Sequence, residues 1–313
     1  MCDGGISVLL ARYRILAETH AAVQQGEPPE RDGVDREHVF RPVPRQRVYR
    51  RHQYRTRVSL DEMSDTEIVN MYRLNREAIF ELYGKIRGEI DSCTARSHAV
   101  PRLVKLLCTL QFLATGSFQH VVGACCGVEQ STFSKHLDVV LNALTARFRD
   151  YIRFPRSEVE LQELKLQFFN IAGFPNVLGA IDCTHVPLVP PSKTESVYRN
   201  RKAAYSMNVQ AICDAKLRIL DAVVRFPGSC HDSYILSHSD IGRNLSNGTY
   251  GEGWLLGDAG YGCKTWLLTR NVIERTFGVL KSRFCCLHIS GGALLYTPRC
   301  AVKTVEWVHA VYS

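Results

Sequence analysis

Three acids occupy positions where they could do chemistry: Asp182 in GAIDCTH, Asp258 in WLLGDAGY and Glu274 in NVIERTFGVLKSRF. Each aspartate closes an apolar, strand-like run. A carboxylate exposed at a strand end beside its neighbour offers hard oxygen ligands to a divalent cation. Glu274 falls amid apolar residues on a helical stretch, where a packed acid needs a partner such as Arg275, Lys281 or a metal. Two acids from strands and one from a helix would make a two-metal cage for phosphodiester hydrolysis or strand transfer. The same acids could simply cap turns and helices, and spacing alone leaves both readings open.

The elements that must carry these residues change character along the chain. From about residue 170 the texture is β-rich. Asn176 to Leu188, Ser206 to Cys213, Leu217 to Phe226 and Trp254 to Asp258 read as strands. Asp214-Ala215-Lys216 turns the second into the third, and Val272 to Phe284 returns to helix. Strands with a helix against them predict a mixed α/β domain over 170–313.

Upstream, residues 64–150 read as helical. Ser64-Asp65-Thr66-Glu67 is a capping-box pattern and marks where order is expected to begin. Ile79, Leu82, Tyr83, Ile86 and Ile90 then recur at helical spacing. A second helix is expected from Pro101 to Gly116, and a short third one, capped by Ser117, to Gly127. Beyond that glycine, Phe133, Leu137, Val140, Leu141 and Leu144 form one apolar face. Short helix, glycine turn and a helix with a polar start read as a helix-turn-helix, with Gln130, Ser131, Thr132 and Lys135 placed to reach base edges. An ordinary helical bundle with a polar surface fits that pattern equally.

The 313 residues allow one large domain or two. Hydrophobic residues at 45% and charged residues at 22% exclude wholesale disorder, collagen-like repeats and a simple coiled coil. No apolar run approaches the roughly 18 residues of a membrane span, and Asp3 precedes the only short apolar stretch at the start. A soluble intracellular protein is expected, with no membrane partner. The net charge of +8 is concentrated: eight arginines and one acid lie between Arg36 and Arg57. With Tyr49 and Tyr54 interleaved, this basic arm, residues 1–57, could neutralise phosphates, stack on bases or act as a nuclear address; a solvated tether is the plainer reading. Twelve cysteines scattered through apolar stretches, with no Cys-x-x-Cys pair, read as reduced thiols rather than disulfides or a zinc site.

In order along the chain stand GAIDCTHVPL, YRNRKAAYSMNVQAICDAKLRILD, FPGSCHDSYIL, GWLLGDAGY followed by WLLT, and NVIERTFGVLKSRF. From about Ser64 to Tyr296 the chain resembles the DDE-type transposases of the PIF/Harbinger group and the host nucleases derived from them. FLATGSFQHVVG and QSTFSKHL also look like that family's helix-turn-helix region. The resemblance implies an RNase H-like mixed sheet with flanking helices, preceded by an all-α helix-turn-helix region. It further implies a DNA substrate, Mg²⁺ or Mn²⁺ held by Asp182, Asp258 and Glu274, a Myb-like partner protein, and residence in the nucleus and the cytoplasm. Arg199, Arg201 and Lys202, with Tyr198 and Asn200, could contact the phosphate backbone or form a solvated basic loop. His185 is expected to pack rather than to touch substrate, and Asp232 or Ser233 of the HDS tripeptide to cap a helix.

Three departures bear on activity. Asp258 and Glu274 are 16 positions apart, where relatives place several tens of residues. Cys183 follows the first aspartate where relatives usually have glycine, which would add a side chain near the metals. The end, RCAVKTVEWVHAVYS, does not continue as the family's final apolar helix, which would leave one sheet face thinly covered. Two outcomes therefore stay open: a metal-dependent endonuclease, shortened or inactive, and a DNA-binding protein that has lost catalysis. Neither the oligomeric state nor the DNA target is legible.

Overall fold

The computed structural model describes residues 55–91, 98–262, 264–269, 274–288, 294 and 298–312. Most of the basic arm, residues 1–54, therefore lies outside the described residues. Packed structure reaches back further than the Ser64 capping box. Leu60 is buried, and the Arg57 guanidinium donates to the carbonyls of Ala99 (2.6 Å) and His98 (2.8 Å).

The helical layer follows the apolar spacing. It comprises α1 (Asp65–Tyr72), α2 (Arg76–Ile86), α3 (Arg102–Thr115), α4 (Gln119–Cys126), α5 (Gln130–Ala146) and α6 (Phe148–Tyr151). The capping box forms as expected: Ser64 N donates to Glu67 Oε2 at 2.8 Å, and Glu67 N to Ser64 Oγ at 3.3 Å. Pro101 caps α3 from just outside it. Phe118, not Ser117, is the cap residue of α4, and it makes no side-chain bond there. Between α4 and α5 the turn needs Gly127: its φ is +69°, and a Cβ would lie 2.2 Å from the Thr56 carbonyl oxygen. Phe133, Leu137, Val140, Leu141 and Leu144 all face the core, so α5 uses the predicted apolar stripe.

The α/β layer begins with α7 (Glu158–Ala172), opened by a second capping box from Ser157 and Glu160. It continues through β1 (Val177–Pro187), α8 (Glu195–Tyr198), β2 (Ser206–Cys213), β3 (Ile219–Pro227), α9 (Asp232–Ser237), α10 (Asp240–Ser246), β4 (Trp254–Gly257), β5 (Leu267–Thr269), α11 (Glu274–Arg283) and α12 (Pro298–Tyr312). The five strands run in the order β3-β2-β1-β4-β5. β1, β2 and β3 are antiparallel neighbours; β4 and β5 join parallel. This mixed sheet with flanking helices is the RNase H-like arrangement expected. All eight residues of β2 are buried, including polar Ser206, Asn208 and Gln210, as expected of a strand covered on both faces.

The sheet separates two cores. On one face, Ala180, Val209, Ala211 and Leu256 pack with Phe277 and Leu280 of α11, Trp307 of α12 and the helical layer. On the other, Ile181, Ile212, Leu255 and Leu267 pack with α7, α9 and α10. The C-terminal segment does form a helix: Ala301, Val305, Trp307 and Val308 of α12 are buried, and the helix lies against α5 and β3. The expectation of a thinly covered face is thus corrected. The apolar residues of that segment recur at helical spacing, which is enough to fill the face whatever words spell it.

Asp221 of β3 gives a pH-dependent contribution to stability. Burial pushes its carboxyl up to about 6; Asp240 adds to the rise and Arg149 opposes it. An acid whose folded pKa lies above its unfolded value of about 3.9 contributes stability that is complete below about pH 4 and lost as pH rises through about 6. Asp221→Asn is therefore expected to stabilise the protein by roughly 3 kcal/mol at pH 7.5 and by little at pH 4. Urea midpoints of the two proteins at the two pH values check it, and an equal shift at both would refute it.

Candidate active site

β1 is the central strand, and its pleat sets the direction of each side chain. Ala180, Asp182, Thr184 and Val186 share one face, the face covered by α11. Asp182 is half-buried, and its Oδ1 accepts from Cys183 N at 2.7 Å. The parallel register pairs Ala180 with Leu256. Asp258 directly follows β4, two residues beyond Leu256, as Asp182 stands two residues beyond Ala180 on β1. Asp258 is also half-buried and caps the turn Ala259–Tyr261, with its Oδ1 accepting from Gly260 N at 3.0 Å. Of the two readings the spacing left open, the turn cap is therefore formed. Two like charges side by side repel, and a divalent cation relieves that repulsion.

Glu274 is the first residue of α11; its side chain lies outside the described residues. The backbone of α11 does return across the acidic face despite the 16-residue interval. Thr276 Oγ1 donates to Cys213 Sγ at 3.4 Å, Lys281 Nζ donates to His185 O at 3.0 Å, and Phe277 and Leu280 enter the core that Ala180 shares. Burial holds the Lys281 amine below the ordinary lysine range. Among the described residues no three His, Cys, Asp or Glu side chains converge as a metal cluster.

Cys183 does not crowd this face, which corrects the expectation of an added side chain near the metals. Alternation turns it to the opposite side of β1, where its Sγ accepts from Tyr261 OH at 3.2 Å and lies 3.8 Å from Gln210 Nε2. Burial pushes its thiol up, out of the thiolate range. Since Tyr261 belongs to the turn that Asp258 caps, this bond ties the loop of the second aspartate to the residue after the first.

His185 packs as expected: half-buried, with its Nδ1 2.9 Å from Ser206 Oγ and its pKa lowered chiefly by burial. The same serine hydroxyl accepts from Asn200 Nδ2 at 2.9 Å, and Asn200 Oδ1 accepts from the backbone of Lys202 and Ala204. The basic loop with exposed Arg199, Arg201 and Lys202 is thereby fastened to β1 and β2. Asp232 opens α9 but is not its cap; His231 holds that position, and Asp232 Oδ1 accepts from Asn208 Nδ2 at 2.9 Å. The cap reading of Asp232 is corrected accordingly. At the start of α5, Gln130, Ser131 and Lys135 are exposed and Thr132 half-exposed, with Gln130 Nε2 bonded to Gln119 Oε1 at 3.0 Å.

The DDE superfamily endonuclease family matches residues 181–271, a span that contains both aspartates and ends just before α11. Over 269 residues the chain is 34% identical to the human protein named "Putative nuclease HARBI1", covering 80% of this chain and 77% of that one. The Xenopus laevis protein of the same name is 31% identical over 276 residues, 82% and 80% of the two chains. "Protein ALP1-like" of Arabidopsis thaliana is 30% identical over 177 residues, 51% of this chain and 42% of its own. No solved structure matches. Likeness on this scale, running from the helical layer through the strands that carry the aspartates, makes the chain a member of the Harbinger transposase-derived nuclease family, within the DDE superfamily.

Proposed function

We propose that this protein is a divalent-metal-dependent DNA endonuclease in which Asp182, Asp258 and Glu274 hold Mg²⁺ or Mn²⁺. The observation that supports the reading is the parallel pairing of β1 with β4, the neighbouring strands from which Asp182 and Asp258 come. The donor set fits: hard oxygen ligands from neighbouring strands suit a hard cation and suit a soft one poorly. Such ions, when bound, activate the attacking water or 3′-hydroxyl and neutralise the leaving oxygen. The protein's own work is to hold three carboxylates at fixed separation and to keep the substrate backbone beside them. Exposed Arg199, Arg201 and Lys202 supply cations for that backbone, on a loop held by Asn200, Ser206 and His185. Gln130, Ser131, Thr132 and Lys135, on the second helix of a helix-turn-helix, read or grip the duplex. A Myb-like partner and a nuclear address complete the proposal.

Nicking of supercoiled plasmid by the pure protein tests it. Cleavage in Mg²⁺ or Mn²⁺ that EDTA abolishes supports the enzyme; salt-sensitive DNA binding without cleavage in either metal supports a binding protein and overturns the catalytic reading. Lys135→Ala is expected to weaken duplex binding similarly for all sequences and to reduce the slope of log affinity against log salt by about 1. Fluorescence anisotropy over a salt series measures this, and an unchanged slope removes Lys135 from the interface.

A further inference from the structure

A cavity of about 220 Å³ opens on the sheet face opposite the acidic pair, lined by Ser237 of α9, Arg243 and Ser246 of α10, Asn247, and Lys264 and Trp266 of the segment entering β5. We propose that it receives one unpaired nucleotide of a DNA strand, the base lying on Trp266 and its phosphate between Lys264 and Arg243. This rests on the reading of DNA as substrate and adds to it a second point of contact.

Among the described residues the wall divides by chemistry into an aromatic plane, two cations, two hydroxyls and an amide, with no carboxylate. That composition suits a flat, anionic guest. Trp266 is half-buried, packed against the core that Leu255 and Leu267 share, so one side of the ring is left for a guest. The Lys264 ammonium now covers it, 5.6 Å from the ring centroid. An ammonium on a ring is readily exchanged for a stacked base, since stacking is the stronger contact and the displaced amine can follow the phosphate. Arg243 pairs with Asp240 on the open surface, a contact weak enough to be shared with an incoming anion. Asn247 is exposed at the rim and presents an amide to a base edge.

Size and position restrict the guest further. The volume lies below the roughly 300–1,000 Å³ of sites that enclose a drug-sized ligand, so a single planar group fits and a base pair does not. A base must leave its stack to enter. Trp266 stands three residues before Thr269, which is level with Gly257 beside Asp258. The cavity lies across the sheet from the aspartates, so a nucleotide held there is a contact separate from the acidic pair.

The test measures binding of the full chain, in EDTA to prevent cleavage, to a duplex with one unpaired adenine, to the matched perfect duplex, and to free deoxyadenosine monophosphate. The wild type is expected to prefer the bulged duplex by about tenfold, with quenching of tryptophan fluorescence. Trp266→Ala should abolish that preference, Trp266→Phe should keep most of it, and Lys264→Ala should reduce it severalfold. Lys264 is exposed, so its variant decides the matter should Trp266→Ala fail to fold. Equal affinity of the wild type for the two duplexes overturns the proposal. So does a preference that survives Lys264→Ala and Trp266→Phe unchanged, or binding of the free nucleotide without any preference among the DNAs. Bulge indifference in a protein that still nicks plasmid sinks this inference alone, whereas loss of all DNA binding sinks the proposed function with it.

Discussion

Asp182→Asn is expected to leave the fold and DNA binding intact while lowering metal-dependent nicking by about a thousandfold or more. The substitution keeps shape and one oxygen, so the bond from Cys183 N can persist. What it removes is the negative charge on β1, the strand paired with the one that Asp258 follows. Metal assistance supplies several kcal/mol of transition-state stabilisation, and each 1.36 kcal/mol is tenfold in rate. The stability change should have the opposite sign from an ordinary core lesion. Without metal, loss of one of two adjacent like charges relieves repulsion, so the variant should melt at or above the wild-type temperature. With Mg²⁺ or Mn²⁺ present, the wild type should gain stability by mass action and the variant should not. Nicking rates beside melting curves with and without metal read both effects. Nicking within tenfold of wild type, or equal stabilisation of both proteins by the metal, would remove Asp182 from the metal site.

The acidic strands were legible because burial on both faces leaves a continuous apolar run, and in such a run a lone aspartate stands out. β1, β2 and β4 begin and end within a residue or so of the expected limits. The face on which each residue lies was harder to read. Cys183 looks adjacent to Asp182 in one dimension, yet the pleat puts its thiol across the sheet beside Tyr261. β5 went unread since its three residues carry too little local preference; it exists because Leu267, Leu268 and Thr269 pair with β4. α7 had a signal that went unused: Ser157 and Glu160 are spaced as a capping box, as Ser64 and Glu67 are. The crossing from Asp258 to α11 depended on tertiary packing that no spacing rule encodes. Thr276 and Lys281 fasten the helix to β2 and β1 and so set its position over the sheet.

That dependence on packing makes the C-terminal helix the place to test the fold itself. Trp307 is 2% exposed, lies in the core beneath the acidic face's side of the sheet, and meets Tyr151 edge-on with ring centroids 6.4 Å apart. Trp307→Ala is expected to cost about 3–5 kcal/mol, the usual price of emptying a buried aromatic site. Against a total stability of roughly 5–15 kcal/mol, a loss of that size could leave much of the chain unfolded at growth temperature. Trp307→Phe separates packing from polarity. Among the described residues the indole Nε1 is buried without a hydrogen-bond partner, so phenylalanine gives up ring volume but also sheds an unsatisfied donor, and the two effects offset each other in part. The phenylalanine variant should therefore lose less than half of what the alanine variant loses. Urea unfolding followed by circular dichroism measures both. A Trp307→Ala midpoint close to wild type would mean that α12 does not seal the sheet, and the face behind Asp182 would then be as thinly covered as the sequence first suggested.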